Sequence, residues 1–181
     1  MPRIQYQPAD IETPEDLVTA IRARRGGKLL NLDRMLLHSP PFANGWNSLL
    51  GEVRSSLKLP PQLRELAICL VAVLNDAEYE FQHHAPEFIK AGGTSDQLKA
   101  LQHFNSAVYR ETLFDSAELA VINLTLEMTR SVKVSDHAFA AAKAIFTDER
   151  QLVELVGVIA TYNMVSRFLV ALEVGRNRQD E

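Results

Sequence analysis

The stretch from Leu63 to Gly93 decides the fold, and it reads LRELAICLVAVLNDAEYEFQHHAPEFIKAGG. The helix predicted from Gln62 to Leu74 has an interior that is apolar on every side, so it must be buried. Carboxylates and imidazoles follow directly in a second helix, which Asp76 can cap. The hydrophobic core and the candidate chemistry therefore adjoin at this turn.

Two polar pairs share faces of the second helix. Glu80 and His84 are four residues apart, as are His83 and Glu87, so each pair can meet on its own face. The two faces differ by about 100°, and the sequence leaves open which of them points inward. Three apolar residues mark the buried side, namely Phe81, Phe88 and Ile89.

Glu65 lies in the first turn of the buried helix, among apolar neighbours that would desolvate it. A buried acid needs a partner. A salt bridge to Arg64 is one explanation, and a role in a reaction is the other.

Helical periodicity continues on both sides of this hairpin. A helix starts at Thr13, read as the N-cap, with Pro14 in its first turn. Further helical segments are predicted at Leu29 to Leu37, Phe42 to Leu57, Asp96 to about Asn105, and Glu149 to Gly175. Hydrophobic and polar residues do not alternate with a period of two in any segment, as they would in a β-strand. The sequence therefore predicts an all-α protein.

An internal repeat relates the two halves of the chain. A shift of 53 residues pairs Glu65 with Glu118 and His84 with His137, without a gap. We interpret this as two copies of a helical hairpin plus a following helix. The second copy has Lys133 in place of Glu80, so we expect Glu118 and His137 to be structural.

Two polar residues interrupt the apolar stripe of the last helix, Tyr162 and Asn163. A polar residue on an apolar face requires a hydrogen-bond partner. The sequence leaves open whether this pair packs within the protein or contacts a substrate.

Composition narrows the class of protein. The chain of 181 residues, with 46% hydrophobic residues and a formal charge of −4, is ordinary for a soluble globular protein and predicts one domain, residues 1–181. The lack of a basic patch argues against nucleic acid. The N-terminal residues lack the apolar region of a signal peptide. The longest apolar run, residues 66–74, is too short to span a bilayer. Cys69 is the single cysteine, so the chain can form no internal disulfide. We therefore expect a cytoplasmic protein with no membrane partner.

The motif Arg64-Glu65-Leu66, then Tyr79-Glu80-Phe81 and His84, then Ala91-Gly92, resembles the carboxymuconolactone decarboxylase family over residues 57–105. That family shares its fold with the alkylhydroperoxidase D-like proteins. The resemblance implies an alkylhydroperoxidase D-like helical bundle, divided into an N-terminal region (1–56), a core (57–105) and a second half-repeat with the last helix (106–181).

The peroxidase branch of this fold carries a Glu, a Cys-x-x-Cys pair and a His. Here Glu65, Ala77, Glu80 and His84 occupy those four places, so both redox cysteines are absent. A thiolate and its resolving thiol are needed for that chemistry. The Tyr-Glu-Phe-x-x-His pattern is instead similar to the decarboxylase branch.

The resemblance implies a cofactor-free acid–base lyase acting on a small carboxylated lactone or oxo-acid. Its implied catalytic residues are Glu65, Glu80 and His84, with His84 as the proton donor, oriented by a carboxylate such as Glu80. Its implied substrate-binding residues are Tyr79, His83, Tyr162 and Asn163. No metal is required, and we expect the three catalytic side chains to converge on one cavity.

Two alternatives to the lyase remain open. One is a peroxidase-related antioxidant protein that lacks the Cys-x-x-Cys pair, and the other is a non-catalytic oligomeric binding protein. Proteins of the family assemble through their helices, so the resemblance also implies a homo-oligomer (dimer, trimer or hexamer) with a small-molecule substrate.

Overall fold

The structure, a computed structural model, describes residues 1–103 and 110–175. All regular elements in these ranges are α-helices, which confirms the predicted fold class. The helices are α1 (Glu15–Arg24), α2 (Asn31–Leu36), α3 (Pro40–Ser55), α4 (Pro61–Leu74), α5 (Glu78–Lys90), α6 (Ser95–Gln102), α7 (Arg110–Leu113), α8 (Ser116–Ser131), α9 (Asp136–Ile145) and α10 (Glu149–Leu172). The predicted end of α6 near Asn105 lies outside the described residues.

The chain divides into two compact units. Among the described residues, one consists of 1–57 with 171–175, and the other of 58–103 with 110–170. The boundary predicted between residues 56 and 57 lies one residue from this division. The expectation of a single domain stays a prediction.

The first unit holds α1 to α3 around a buried acid. Asp33 is almost fully buried, and its carboxylate pairs with Arg25 Nε at 3.1 Å and Arg24 NH2 at 3.6 Å. Two arginines at the end of α1 therefore neutralise a buried charge. In the same unit, the N-terminal arm donates a backbone hydrogen bond from Arg3 to the Leu172 carbonyl.

The second unit is built around α4. Residues 66–71 of this helix are fully buried, as its apolar interior predicts, and α4 packs against both α5 and α8. After α5, Gly92 adopts a positive φ of 109°, and a Cβ on Gly93 would collide with the buried ring of Phe88. The Gly-Gly pair therefore ends α5. Thr94 follows as the N-cap of α6, and its side chain accepts a hydrogen bond from Gln97 N.

The second hairpin, α8 with α9, repeats the arrangement of α4 with α5. Helix α10 follows it, as α6 follows the first hairpin. This order confirms the repeat seen in the sequence.

Three local predictions were wrong. Pro14, not Thr13, occupies the N-cap of α1, so the helix begins one residue later. Asp76 does not cap α5, because its backbone takes a positive φ of 54° and Ala77 becomes the N-cap. Ile89 is 40% exposed, since the buried stripe of α5 passes through Phe88 and not its neighbour.

Helix α10 is long and apolar enough, by length and composition alone, to cross a membrane. Half of its most apolar window is buried within the protein. The core helix of a soluble protein passes the same test, and α10 carries buried polar side chains, including Asn163 and Ser166. These features are those of a helix packed against other helices.

Candidate active site

The α4–α5 hairpin brings Glu65 and His84 together. The two helices run in opposite directions from the short turn at residues 75–77, so residues far apart in sequence face each other. Glu65 Oε2 lies 2.6 Å from His84 Nδ1. Both side chains are nearly inaccessible, at 2% and 5% exposure. A hydrogen bond this short between buried partners is of the charge-assisted kind.

Glu65 is held as a carboxylate at this position. Burial alone would raise its pKa, but the hydrogen bond and charge of His84, together with Arg64, outweigh burial and hold the pKa of Glu65 below its ordinary value. Arg64 Nε lies 3.1 Å from Glu65 Oε1. The predicted salt bridge to Arg64 is therefore present, and a role of Glu65 in a reaction stays a prediction.

His84 is oriented by two neighbours. Its Nδ1 faces the Glu65 carboxylate, which assigns the proton between them to Nδ1. The ring of Tyr162, on α10, stands edge-on to the imidazole with centroids 5.0 Å apart. The second ring nitrogen, Nε2, is therefore the atom through which His84 can exchange a proton with a substrate.

Glu80 lies one helical turn before His84 and is 2% exposed. Neither of its carboxyl oxygens has a hydrogen-bond partner among the described residues. Burial raises the pKa of Glu80 well above its ordinary value. The expectation that Glu80 orients His84 was wrong, because Glu65 makes the hydrogen bond to His84 and the Glu80 oxygens make none among the described residues.

The open choice between the two faces of α5 is settled by burial. Glu80 and His84 point inward, whereas His83 is half-buried. His83 Nδ1 lies 2.7 Å from the Tyr79 carbonyl oxygen, and the two rings stack with centroids 4.3 Å apart. Tyr79 and His83 are thus partners of each other, and their predicted contact with substrate stays a prediction.

The two polar residues of α10 play different parts. Tyr162 contacts His84, as above. The side-chain amide of Asn163 accepts from Asn75 at 3.1 Å and donates to Thr129 Oγ1 at 3.0 Å. Asn163 therefore links α10 to α8 and to the turn after α4, and its predicted role in substrate binding stays a prediction.

Cys69 is fully buried one turn after Glu65. Burial raises the pKa of its thiol, and the neighbouring acid Glu65 raises it further. A buried, protonated thiol is a poor nucleophile.

The second copy of the hairpin does not form the same pair. Glu118 is buried, but its oxygens accept from Gln62, Gln97 and the backbone of Asp115. His137 is exposed. Glu118 therefore serves the predicted structural role.

A cavity of about 410 Å³ lies at the start of α5. Its lining includes Ala72 of α4, Asp76 and Ala77 of the turn, and Phe81 of α5, which follows Glu80 in sequence. Glu80 itself does not line it. The convergence of Glu65, Glu80 and His84 on one cavity stays a prediction.

No group of three or more His, Cys, Asp or Glu side chains within residues 1–103 and 110–175 is arranged to hold a metal ion.

Sequence reasoning missed the polar contacts of Asn75 and Thr129. The sequence pattern assigns no contact to either residue, yet both bond to Asn163. The usable signal was Asn163 itself, since a polar residue inside an apolar stripe must have partners on the helices that cover it.

These features define an all-helical protein whose buried Glu–His pair lies between two antiparallel helices. Solved structures with the same fold include an alkylhydroperoxidase AhpD core, a peroxidase-related protein from Ralstonia eutropha, at a TM-score of 0.80 and 13% identity. That match covers 98% of this chain and 93% of the other. A peroxidase-related protein from Silicibacter sp. matches with a TM-score of 0.78 and 15% identity, over 98% of this chain and 93% of that one.

A debrominase solved in complex with 2,3,4-tribromopyrrole also shares the fold, with a TM-score of 0.76 and 15% identity over 98% of this chain and 95% of that one. Residues 40–123 match the model of the carboxymuconolactone decarboxylase family. The resemblance seen in the sequence is thereby confirmed. No curated protein sequence matches the chain.

Proposed function

We propose that this protein is a cofactor-free acid–base lyase that removes CO2 from a small carboxylated lactone or oxo-acid. The observation that carries the proposal is the buried contact of 2.6 Å between Glu65 Oε2 and His84 Nδ1. The match of residues 40–123 to the model of the carboxymuconolactone decarboxylase family supports the reaction class. His84 is the proton donor, and Glu65 is the residue that positions it.

The reaction needs one proton and a place for one electron pair. The bond between the ring carbon and the departing carboxylate breaks, and CO2 leaves. The electron pair moves through the conjugated double bond to the carbonyl oxygen, which becomes an enolate. His84 then donates its Nε2 proton to carbon, and the carbonyl re-forms; positioned proton donors of this type contribute about 10²-fold to 10⁴-fold in rate.

Glu65 makes this donation possible by electrostatics. Its carboxylate accepts the Nδ1 proton and stabilises the positively charged imidazolium from which Nε2 donates. Arg64 compensates the charge of Glu65 when His84 has given up its proton. Glu65 and His84 can therefore hold and release a proton inside the protein, and no buried charge is left without a partner.

The peroxidase-related alternative requires a reactive thiol. The only cysteine, Cys69, is buried and its pKa is raised, so nothing in the site favours that chemistry over proton transfer. Replacement Cys69→Ala should leave CO2 release intact. Loss of activity in Cys69→Ala, with the fold retained, would favour the redox alternative.

The test is CO2 release from carboxymuconolactone by the wild type, His84→Asn and the matched control His137→Asn. We expect release by the wild type, a loss of about 10²-fold or more in His84→Asn, and no change in His137→Asn. Circular dichroism checks that both variants are folded. An inactive wild type, or equal rates in wild type and His84→Asn, would contradict the proposal and favour a non-catalytic binding protein.

A further inference from the structure

Glu80 is a buried acid whose role the proton-donor mechanism leaves unassigned. Its carboxyl group is 2% exposed, and both oxygens are fully enclosed without a hydrogen-bond partner among the described residues. Buried polar atoms in folded proteins are nearly always satisfied, so such a group requires an explanation. An apolar side chain of similar size would be less costly at a purely structural position.

The position of Glu80 ties it to the reacting pair. Glu80 and His84 lie one turn apart on the same face of α5. Because α4 and α5 are antiparallel and Glu65 meets His84, one turn further along α4 places Cys69 opposite Glu80. Glu65, Cys69, Glu80 and His84 thus form one cluster between the two helices.

The charges in this cluster favour an uncharged Glu80. Glu65 is already a carboxylate, and its positive partners, His84 and Arg64, are engaged with it. Cys69 supplies no positive charge. Burial is accordingly the cause of the raised pKa of Glu80. An uncharged carboxylic acid carries one O–H donor, which Glu65 lacks.

We infer that Glu80 binds the carbonyl oxygen of the substrate, donating a hydrogen bond from its carboxylic acid to the atom on which negative charge develops as CO2 leaves. This inference rests on the proposed function. It assigns three separate tasks: Glu65 positions His84, His84 protonates carbon, and Glu80 stabilises the enolate oxygen while keeping its own proton. A donor aimed at a developing oxyanion typically contributes about 10²-fold to 10³-fold in rate.

The substrate class follows from this assignment. The molecule must carry a carbonyl oxygen conjugated with the carbon that loses CO2, so that one acid can reach the oxygen while the imidazole reaches carbon. A lactone or an oxo-acid with a conjugated ketone meets this requirement. A saturated carboxylic acid without a second carbonyl does not.

The test uses a probe that binds without reacting. 2(5H)-Furanone with a ¹³C-labelled carbonyl has the lactone oxygen but no carboxylate to lose, and its carbonyl stretch falls in frequency when the oxygen accepts a hydrogen bond. We expect this shift with the wild type, its retention in Glu80→Gln, whose amide still donates, and its loss in Glu80→Leu. His84→Asn, which lacks the proton donor, should still show the shift.

These outcomes separate the inference from the proposed function. A shift that depends on Glu80, in a protein that releases no CO2 from carboxymuconolactone, would support the inference and overturn the lyase. An unshifted or unbound probe, or an equal shift in wild type and Glu80→Leu, would overturn the inference whatever the activity. A shift lost in Glu80→Gln as fully as in Glu80→Leu would also overturn it, because a neutral donor would then not suffice.

Discussion

The two helical hairpins have the same order of residues but different sites. In the first, Glu65 and His84 meet at 2.6 Å and are buried; in the second, Glu118 is enclosed by structural hydrogen bonds and His137 is exposed. Both pairs are separated by 19 residues. Spacing along the chain therefore does not decide whether the acid and the imidazole meet.

The turns of the hairpins explain the difference. At the offset of 53 residues, the end of α4 at Leu74 corresponds to Glu127, but α8 continues to Ser131. The return helix α9 then begins only at Asp136, so His137 lies in its first turn. His84, by contrast, lies in the middle of α5. A longer first helix moves the turn and shifts the register of the hairpin, which carries the imidazole away from the acid.

The start of each helix adds to the contrast. Glu118 is the third residue of α8, where its side chain closes a capping box with Asp115. Glu65 is the fifth residue of α4, one position beyond the first turn, and its carboxylate is available to the facing helix. The same residue type thus caps a helix in one copy and pairs with an imidazole in the other.

The largest expected effect distinguishes the two acids. Glu65→Gln keeps the shape of the side chain but removes the charge that supports a protonated His84, so CO2 release should fall by about 10²-fold or more. Glu118→Gln should leave the rate unchanged. It should instead cost about 1 kcal/mol of stability, measured by urea denaturation, because an amide nitrogen replaces one of the two oxygens that accept from Gln62, Gln97 and Asp115 N. Equal rates in the two variants would remove the functional difference between the hairpins.

A second expected effect is on the pH dependence of stability, and it distinguishes Glu80 from Lys133, the exposed residue at the same position of the second repeat. Because burial raises the pKa of Glu80 well above 4.5, the folded protein holds a proton that the unfolded chain releases above that pH. The free energy of unfolding is therefore unaffected by the ionisation of Glu80 below the pKa that Glu80 has in the unfolded chain. It falls as the pH rises from there toward the pKa of Glu80 in the folded protein, by up to about 1.4 kcal/mol per pH unit.

Glu80→Gln should abolish this loss between pH 5 and pH 7, whereas Lys133→Gln should keep it. The window lies above the pKa of Glu65, which is lowered and contributes stability that is lost only on further acidification. The measurement is the free energy of unfolding of the three proteins at several pH values. A pH dependence that is unchanged in Glu80→Gln would show that Glu80 is ionised in the folded protein.

How much of this could be predicted from the sequence depends on the kind of interaction. The buried helix α4 was predictable because its apolar run has no polar side, and the repeat followed from the matching residues. The partner of His84 was not, because Glu80 at four residues and Glu65 at 19 residues were both available. Only the register between α4 and α5 selects Glu65, and that register depends on the packing of the whole hairpin.

The smallest expected effect concerns the joint between the hairpins and α10. Thr129→Val removes the hydroxyl that accepts from Asn163 Nδ2 and should cost about 1 kcal/mol, since a buried donor loses its partner. Thr161→Val, at a half-buried position of α10, is the matched control and should change stability less. If both variants are as stable as the wild type, the polar joint contributes nothing measurable.

The most direct test of the central claim is proton NMR of His84 in the folded protein. The account predicts a strongly downfield Nδ1 proton, produced by the short hydrogen bond to Glu65, that disappears in Glu65→Leu and persists in Glu118→Leu. A wild-type protein without that resonance, or one whose resonance survives Glu65→Leu, would show that the acid and the imidazole are not joined.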